Sequence, residues 1–184
     1  MKDGDGAAKW IEAGLVELAR GGVDHVRVEV LAASLGVTKG GFYRRFRDRR
    51  ALLDALLETW AAGRIAALEK QIEQGGSTAR ERLESLIRHY TERISAQGIA
   101  IELAIRQWAR SDPSAAASAA TVDAARLARI TQLYRQLGLD PKDAEARAVL
   151  FYSFIFGQSL LFLDQASRKR GTVIAACADV LTAP

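Results

Sequence analysis

The stretch GVTKGGFYRRFRDRR, residues 36–50, contains the most informative pattern in this chain. It combines a glycine turn, two phenylalanines four positions apart and six basic side chains against one acidic residue, Asp48. Positive charge concentrated on a short helical segment is typical of a surface that binds a polyanion. Runs of arginine also occur on solvated helix faces, so the charge alone leaves both interpretations open.

The composition of the whole chain indicates that this positive charge is local. The protein has 184 residues, 49% of them hydrophobic, and a net charge of only +4. The single Cys177 excludes an intramolecular disulfide, and we interpret it as a small buried side chain in a reducing compartment. The first ten residues contain no continuous apolar run and resemble no secretory signal, so we expect a cytoplasmic protein.

The helix start and stop signals along the chain predict an all-α fold of about nine helices. Apolar residues recur at helical spacing, and there is no sustained alternation of β-branched residues that would indicate strands. The fourth of these helices is expected to be long. Expected helix breaks are Gly21-Gly22, Gly36, Gly75-Gly76, residues 96–98, Asp112-Pro113, the alanine-rich residues 115–120, Gly138, Asp140-Pro141 and Gly171.

Short polar residues at helix starts predict where the side-chain caps lie. Thr38 is expected to cap the short third helix by accepting a backbone N–H bond, and Asp48 is expected to cap the fourth. Ser77 is expected to open the fifth helical pattern, and Asp140 to cap a helix whose first turn contains Pro141.

The second and third helices have the spacing of a helix-turn-helix. A helix over about residues 28–35 is followed by a turn at Gly36-Val37 and a short third helix. Phe42 and Phe46 are four residues apart and are expected to pack inward. Lys39 and Tyr43 share the next face of the helix, where the ammonium and hydroxyl groups can donate to DNA phosphates.

Two adjacent glycines in the third helix point to a close approach from outside. Gly40 and Gly41 each reduce helix propensity by about 1 kcal/mol relative to alanine. Their presence on the outward face is consistent with a groove wall or a thymine methyl group lying against the backbone. The third helix is therefore a candidate recognition helix.

The sequence VEVLAASLGVTKGGFYRRFRDRRALL, residues 28–53, resembles the N-terminal domain of the tetracycline-repressor (TetR) family of bacterial transcriptional regulators. The resemblance covers roughly residues 10–53. It implies a three-helix helix-turn-helix DNA-binding domain over residues 1–53 and a helical ligand-binding and dimerisation domain over residues 54–184.

The resemblance and the basic character of the segment together give a candidate DNA interface. Arg27 stands where the family usually has a capping Ser or Thr, and is free to reach a phosphate instead. Gly41 removes a side chain that many members point at a base, which leaves more of the specificity to basic side chains and DNA shape. By the resemblance, Arg49 holds a phosphate. The candidate DNA-contacting residues are Arg27, Thr38, Lys39, Gly40, Gly41, Tyr43, Arg44, Arg45 and Arg49.

The remaining two thirds of the chain carry no catalytic signature, metal-ligand cluster or cofactor motif, so we expect no enzyme, metal site or cofactor. His25 and His89 are isolated.

The apolar residues 148–163 are fewer than the about 20 that a membrane span needs, so we expect burial in protein and no membrane partner. This helix and the final one, about residues 172–181, are expected to join two subunits. The resemblance implies the same homodimer.

The resemblance also implies a small-molecule effector bound in the C-terminal domain. Candidate lining residues, chosen only as aromatics on helices that could surround a cavity, are Tyr90, Trp108, Tyr134 and Phe154. Plain core packing is the alternative for each.

The sequence thus predicts a ligand-responsive transcriptional regulator, a repressor that binds a palindromic double-stranded DNA operator as a homodimer. The competing hypothesis is a small-molecule-binding helical protein or enzyme whose basic N-terminal lobe is incidental.

Overall fold

A computed structural model describes residues 4–93, 95–160 and 168–183. These residues form α-helices joined by short turns and contain no strand, which confirms the predicted all-α class. The described helices are α1 (Gly4–Gly21), α2 (Val28–Ser34), α3 (Lys39–Tyr43), α4 (Arg49–Gln74), α5 (Ala79–Arg88), α6 (Ala96–Trp108), α7 (Pro113–Gln136), α8 (Pro141–Leu160) and α9 (Arg168–Thr182).

The aspartate caps predicted at Asp48 and Asp140 form, and Asp112, predicted only as part of a helix break, is a further cap. Asp48 accepts a hydrogen bond from the backbone N–H of Ala51 at 2.8 Å and so caps α4. This bond is the main reason why the pKa of Asp48 is lowered. Asp112 and Asp140 accept two backbone N–H bonds each at the starts of α7 and α8.

Two of the predicted caps are wrong. Thr38 has the extended backbone of a cap residue, but its hydroxyl accepts no hydrogen bond from α3. The cap of α5 is Thr78 and not Ser77, because Thr78 and Glu81 form a reciprocal capping box. The Glu81 carboxylate also accepts the N–H of Ser77 at 2.7 Å, so Ser77 lies just outside the helix.

The predicted breaks are confirmed at glycines with a left-handed backbone and at Asp112-Pro113 and Asp140-Pro141, where α7 and α8 begin. Helix α6 begins at Ala96 behind the cap residue Ser95, the alanine-rich residues 115–120 lie inside α7, and Gly171 lies inside α9, so these three predicted breaks are wrong. A helical glycine costs only about 1 kcal/mol, which tertiary packing offsets. The glycines with positive φ, all beyond helix ends, are Gly22, Gly36, Gly76 and Gly138.

The chain divides into two compact units. The first comprises Met1–Arg64 and Ser95–Val122, and the second comprises Ile65–Ile94 and Asp123–Pro184. Helices α4 and α7 therefore contribute residues to both. The expected functional division after residue 53 stays a prediction.

The first unit is built around aromatic and leucine side chains. Phe42 and Phe46 are buried, as their spacing predicts, and Phe42 packs edge-on against Trp10 with ring centroids 5.3 Å apart. In the same unit, Arg50 of α4 forms an ion pair with Asp112 at 2.6 Å. This contact ties the start of α4 to the start of α7.

The core of the second unit includes the inner face of α8. Ala144, Ala148, Phe151 and Ile155 are buried along this face. The apolar segment predicted over residues 148–163 is thus helical as far as Leu160 and buried on one side through Gln158, and its residues 161–163 lie outside the described part. None of the described helices is both long and apolar enough to cross a membrane.

Candidate nucleic-acid interface

The turn between α2 and α3 holds the two helices in a helix-turn-helix. Gly36 adopts φ 65°, a left-handed conformation that favours glycine. The N–H of Val37 then donates back to the carbonyl of Ala32 at 3.0 Å. Because Phe42 is fully buried beneath α3, the opposite face of this short helix is turned outward.

The outward face of α3 presents the predicted DNA-contacting side chains. Thr38, Lys39, Gly40, Tyr43 and Arg44 are all exposed. Tyr43 is 61% exposed, although its ring still contacts the buried Phe42 edge-on at 5.2 Å. The ring is therefore supported from below while most of the side chain remains accessible.

Lys39 has a partner that the sequence did not reveal. Its ammonium group forms an exposed ion pair with Glu29 of α2 at 2.7 Å. The hydrogen bond from Lys39 is the main cause of the lowered pKa of Glu29. A ten-residue separation across a turn gives no periodic signal, so only the packing of α2 on α3 brings the two together. A phosphate that binds Lys39 must compete with this carboxylate.

Nothing within the protein requires glycine at positions 40 and 41. A Cβ added to Gly40 would lie 3.6 Å from the Thr38 hydroxyl oxygen, and one added to Gly41 would lie 3.8 Å from Trp10. Both are ordinary contact distances, and neither glycine has a positive φ. The fold therefore tolerates a side chain at either position, and the predicted close approach of DNA to this pair stays a prediction.

The two arginines at the edges of α2 and α4 lie in different environments. Arg27 is exposed in the N-terminal cap position of α2 and makes no side-chain cap bond. The half-buried Arg49 donates from Nε to the carbonyl of Val26 at 2.6 Å and from a terminal nitrogen to the carbonyl of Val23. Arg49 thus joins the start of α4 to the turn before α2, and its predicted phosphate contact stays a prediction.

A basic groove adjoins the recognition helix. Its volume is about 310 Å³, and it lies between the start of α1 and α3. The Arg45 guanidinium crosses above Gly6, where an added Cβ would come within 2.8 Å of it. Lys9 was missed in the sequence, although it directly precedes the buried Trp10. The groove is lined by Gly6, Lys9, Trp10, Leu35, Val37, Thr38, Gly41, Arg44 and Arg45.

The four candidate ligand-lining aromatics occupy different places. Tyr134 is fully buried and donates its hydroxyl to the carbonyl of Leu181 at 2.8 Å, and burial raises its pKa to about 12. Tyr90 and Phe154 are half-buried in the second unit. Trp108 belongs to the core of the first unit, so the four residues do not come from one unit.

Comparison with known proteins places these features in a family. The family model described as bacterial regulatory proteins, tetR family, matches residues 11–56, which include α2, α3 and the start of α4. No curated protein sequence matches the chain.

Solved structures share the fold along almost the whole chain. A TetR-family transcriptional regulator from Rhodococcus sp. has a TM-score of 0.75 at 23% identity, with 97% of this chain and 100% of that chain covered. A transcriptional regulator from Saccharomonospora viridis, solved in complex with choline, has a TM-score of 0.74 at 20% identity over 97% and 94% of the two chains. A regulator from Streptomyces coelicolor A3(2) has a TM-score of 0.73 at 15% identity over 98% and 99%.

At these identities the structural likeness establishes the fold, while the family match covers the helix-turn-helix itself. Together they identify residues 11–56 as a tetR-family helix-turn-helix DNA-binding segment, in a chain whose fold is that of TetR-family transcriptional regulators.

Proposed function

We propose that the protein is a ligand-responsive transcriptional repressor that binds a palindromic operator as a homodimer. The observation that carries the proposal is the arrangement of α3, in which Phe42 is buried while Tyr43, its neighbour, is 61% exposed. An operator on the chromosome implies a cytoplasmic protein. The proposed DNA-contacting residues remain Arg27, Thr38, Lys39, Gly40, Gly41, Tyr43, Arg44, Arg45 and Arg49.

The proposed contacts divide between phosphates and bases. Thr38, Lys39 and Tyr43 supply donors that fix the position of α3 on the phosphate backbone. Gly40 and Gly41 let the backbone of α3 approach the floor of the major groove. Sequence selectivity then depends on the arginines at the end of α3 and on the deformability of the DNA.

Apolar side chains on the last two helices support a homodimer. Val149 and Leu150 of α8 are 53% and 61% exposed, and Val173 and Val180 of α9 are 55% and 72% exposed. Val173 and Val180 are seven residues apart on one face of α9, and Val149 and Leu150 are adjacent on α8, so each helix exposes apolar side chains, here called its apolar stripe, that the other described residues leave uncovered. A second copy related by a twofold axis covers both stripes with the same surface. Two recognition helices about 34 Å apart then reach successive major grooves of one DNA face.

The ligand response rests on the second unit, for which we propose a small-molecule effector. Tyr90 and Phe154 remain the candidate aromatics there, because both are only half-buried. Tyr134 is a weaker candidate, since its hydroxyl is already satisfied by the Leu181 carbonyl. The Saccharomonospora viridis regulator with this fold was solved in complex with choline, which supports the capacity of the fold to hold a small molecule.

A gel-shift titration with the DNA upstream of the gene tests the proposal. We expect a retained complex that weakens steeply with salt yet survives an excess of random duplex. Equal retention of random duplex would contradict operator recognition and favour a helical ligand-binding protein with an incidental basic lobe.

A further inference from the structure

A polar cavity in the second unit has no role in the proposed DNA contacts or in the dimer. Its volume is about 340 Å³, and its residues come from the second half of α4, from α5 and from the turn that follows α5. None of the four candidate aromatics lines it. The lining residues are Gln71, Gln74, Ser85, Arg88 and His89.

The amide group of Gln71 is only partly satisfied within the protein. Its Nε2 lies 2.7 Å from Nε2 of His89, while its Oε1 is buried without a hydrogen-bond partner. The oxygen and nitrogen of an amide can be exchanged without altering the shape of the side chain. In either orientation one buried polar atom of Gln71 lacks a protein partner, and such atoms ordinarily have one.

The charge beside Gln71 determines which kind of ligand would satisfy it. Arg88 lines the same cavity and forms no ion pair among the described residues. With the Gln71 oxygen turned toward His89, the amide N–H groups take the buried position that has no partner in the protein. Ser85 and Gln74 add a hydroxyl and a second amide, so the cavity can offer several donors around one positive charge. Such a set suits an oxyanion.

The backbone next to the cavity departs from regular helix. Immediately after Arg88, residues His89–Arg93 form a π-helical turn, a conformation that is frequent at functional sites. The buried Gln158 of α8 donates to the carbonyl of Tyr90 in this turn at 3.2 Å. Gln71 thus contacts the turn through the side chain of His89, and Gln158 contacts it through the backbone. A ligand on Gln71 and Arg88 would act on the same turn that α8 holds.

We infer that this cavity binds a small oxyanion, the carboxylate or phosphate group of a metabolite, through Arg88 and Gln71. Its role as the effector site rests on the proposed function. The oxyanion receives N–H donation from Gln71 and from the Arg88 guanidinium, and His89 stays bonded to the other end of the Gln71 amide.

Thermal unfolding of the full chain in the presence of simple ions tests the inference. Sodium phosphate, sodium acetate and choline chloride are titrated at constant ionic strength into the wild type, Arg88→Gln, Gln71→Leu and the control Arg135→Gln. Arg135 is an exposed cation of the same unit that does not line the cavity. Phosphate or acetate should raise the melting temperature of the wild type and the control saturably, with a Kd of about 1 mM or tighter.

The Arg88→Gln and Gln71→Leu variants should bind the same anion at least about tenfold more weakly, because each removes donors to it. Equal stabilisation of all four proteins, a preference for choline or no saturable effect of either anion would overturn the inference. A preference between phosphate and acetate identifies the headgroup. The gel shift of the ligand-free protein is measured separately, so a failure of operator binding refutes the proposed function without affecting this titration.

Discussion

The recognition helix and the last two helices both expose side chains that their own chain leaves uncovered, but these side chains differ in kind. Around α3 they are a tyrosine and cations next to two glycines, and Tyr43 is 61% exposed. On α8 and α9 they are apolar, and Leu150 and Val180 are 61% and 72% exposed. Hydrogen-bond donors next to the uncovered backbone of two glycines suit a groove lined by phosphates, whereas apolar stripes suit a second protein surface. The type of exposed side chain therefore distinguishes the two proposed partners, DNA and a second copy of the chain. Substitutions can disrupt each of these two interactions separately.

The largest effect is expected from a charge in the apolar stripe. Leu150→Arg should convert the dimer to monomers, because the arginine would be buried without a partner at the twofold interface. Operator affinity should then fall by about 100-fold or more, since two linked recognition helices bind far more tightly than one. Sedimentation velocity and DNA titration measure the two effects.

Ala128→Arg is the matched control for this variant. Ala128 is exposed on α7 of the same unit, away from the stripe, and the substitution should leave both the dimer and DNA binding unchanged. A Leu150→Arg protein that remains dimeric would remove α8 from the interface.

The next largest effect concerns the hydroxyl of Tyr43. Tyr43→Phe keeps the ring contact with Phe42 and removes only the donor, so the fold should be unaffected. Affinity for the operator should fall by about tenfold, as expected for loss of one hydrogen bond to a charged group. Affinity for random duplex should fall in parallel, because a phosphate contact carries no sequence information. Unchanged binding in fluorescence anisotropy titrations would exclude a Tyr43 phosphate contact.

Alanine at the glycine pair should change stability and DNA binding in opposite directions. Gly40→Ala and Gly41→Ala should each stabilise the fold by about 0.5–1 kcal/mol in denaturant unfolding, because the added Cβ fits in both places. Each should weaken operator binding by about fivefold or more, since the methyl group would crowd an apposed DNA backbone.

Gly63 provides the control for the glycine prediction. It lies inside α4, and a Cβ there would meet no atom within 4 Å. Gly63→Ala should raise stability by a similar amount and leave DNA binding unchanged. If Gly40→Ala and Gly41→Ala behave in the same way as this control, the glycine pair does not face DNA.

The smallest effect is expected at the ion pair between Arg50 and Asp112. Hydrogen bonding to Arg50 is the main cause that lowers the pKa of Asp112. A carboxyl group whose pKa is lowered by folding stabilises the folded state above its ordinary value of about 3.8, and this contribution is lost as the pH falls through the folded-state pKa. Asp112→Asn keeps a capping oxygen and should reduce stability by less than about 1 kcal/mol at neutral pH.

Thermal unfolding of the wild type and of Asp112→Asn as a function of pH checks this prediction. The difference in melting temperature should shrink as the pH is lowered below the ordinary aspartate pKa. A difference that is independent of pH would mean that the ion pair does not stabilise the fold.

The sequence predicts the helix-turn-helix well because the signals that specify it are local. Phe42 and Phe46 are four residues apart and both are buried, and Gly36 ends a helix where it was expected to. Aspartate caps followed the same local rule. Thr38 did not, because an extended backbone at a cap position does not by itself orient the hydroxyl toward the next turn.

Features that depend on contacts between helices could not be predicted from the sequence. The pairing of Lys39 with Glu29 requires the packing angle of α2 on α3, and the π-helical turn after Arg88 has no periodic signature. The aromatic residues proposed for a ligand cavity were chosen by type alone. Trp108 falls in the core of the other unit and Tyr134 is already hydrogen-bonded, because residue type does not determine which aromatic faces a cavity.

Binding of the protein to its operator with altered spacing between the half-sites tests the central claim most directly. Insertion of about 5 base pairs rotates one half-site by half a helical turn, away from the second recognition helix. We expect the affinity for this duplex in an anisotropy titration to fall toward that for a single half-site. Equal affinity for the original and the lengthened operator would contradict a homodimer that reads two successive major grooves.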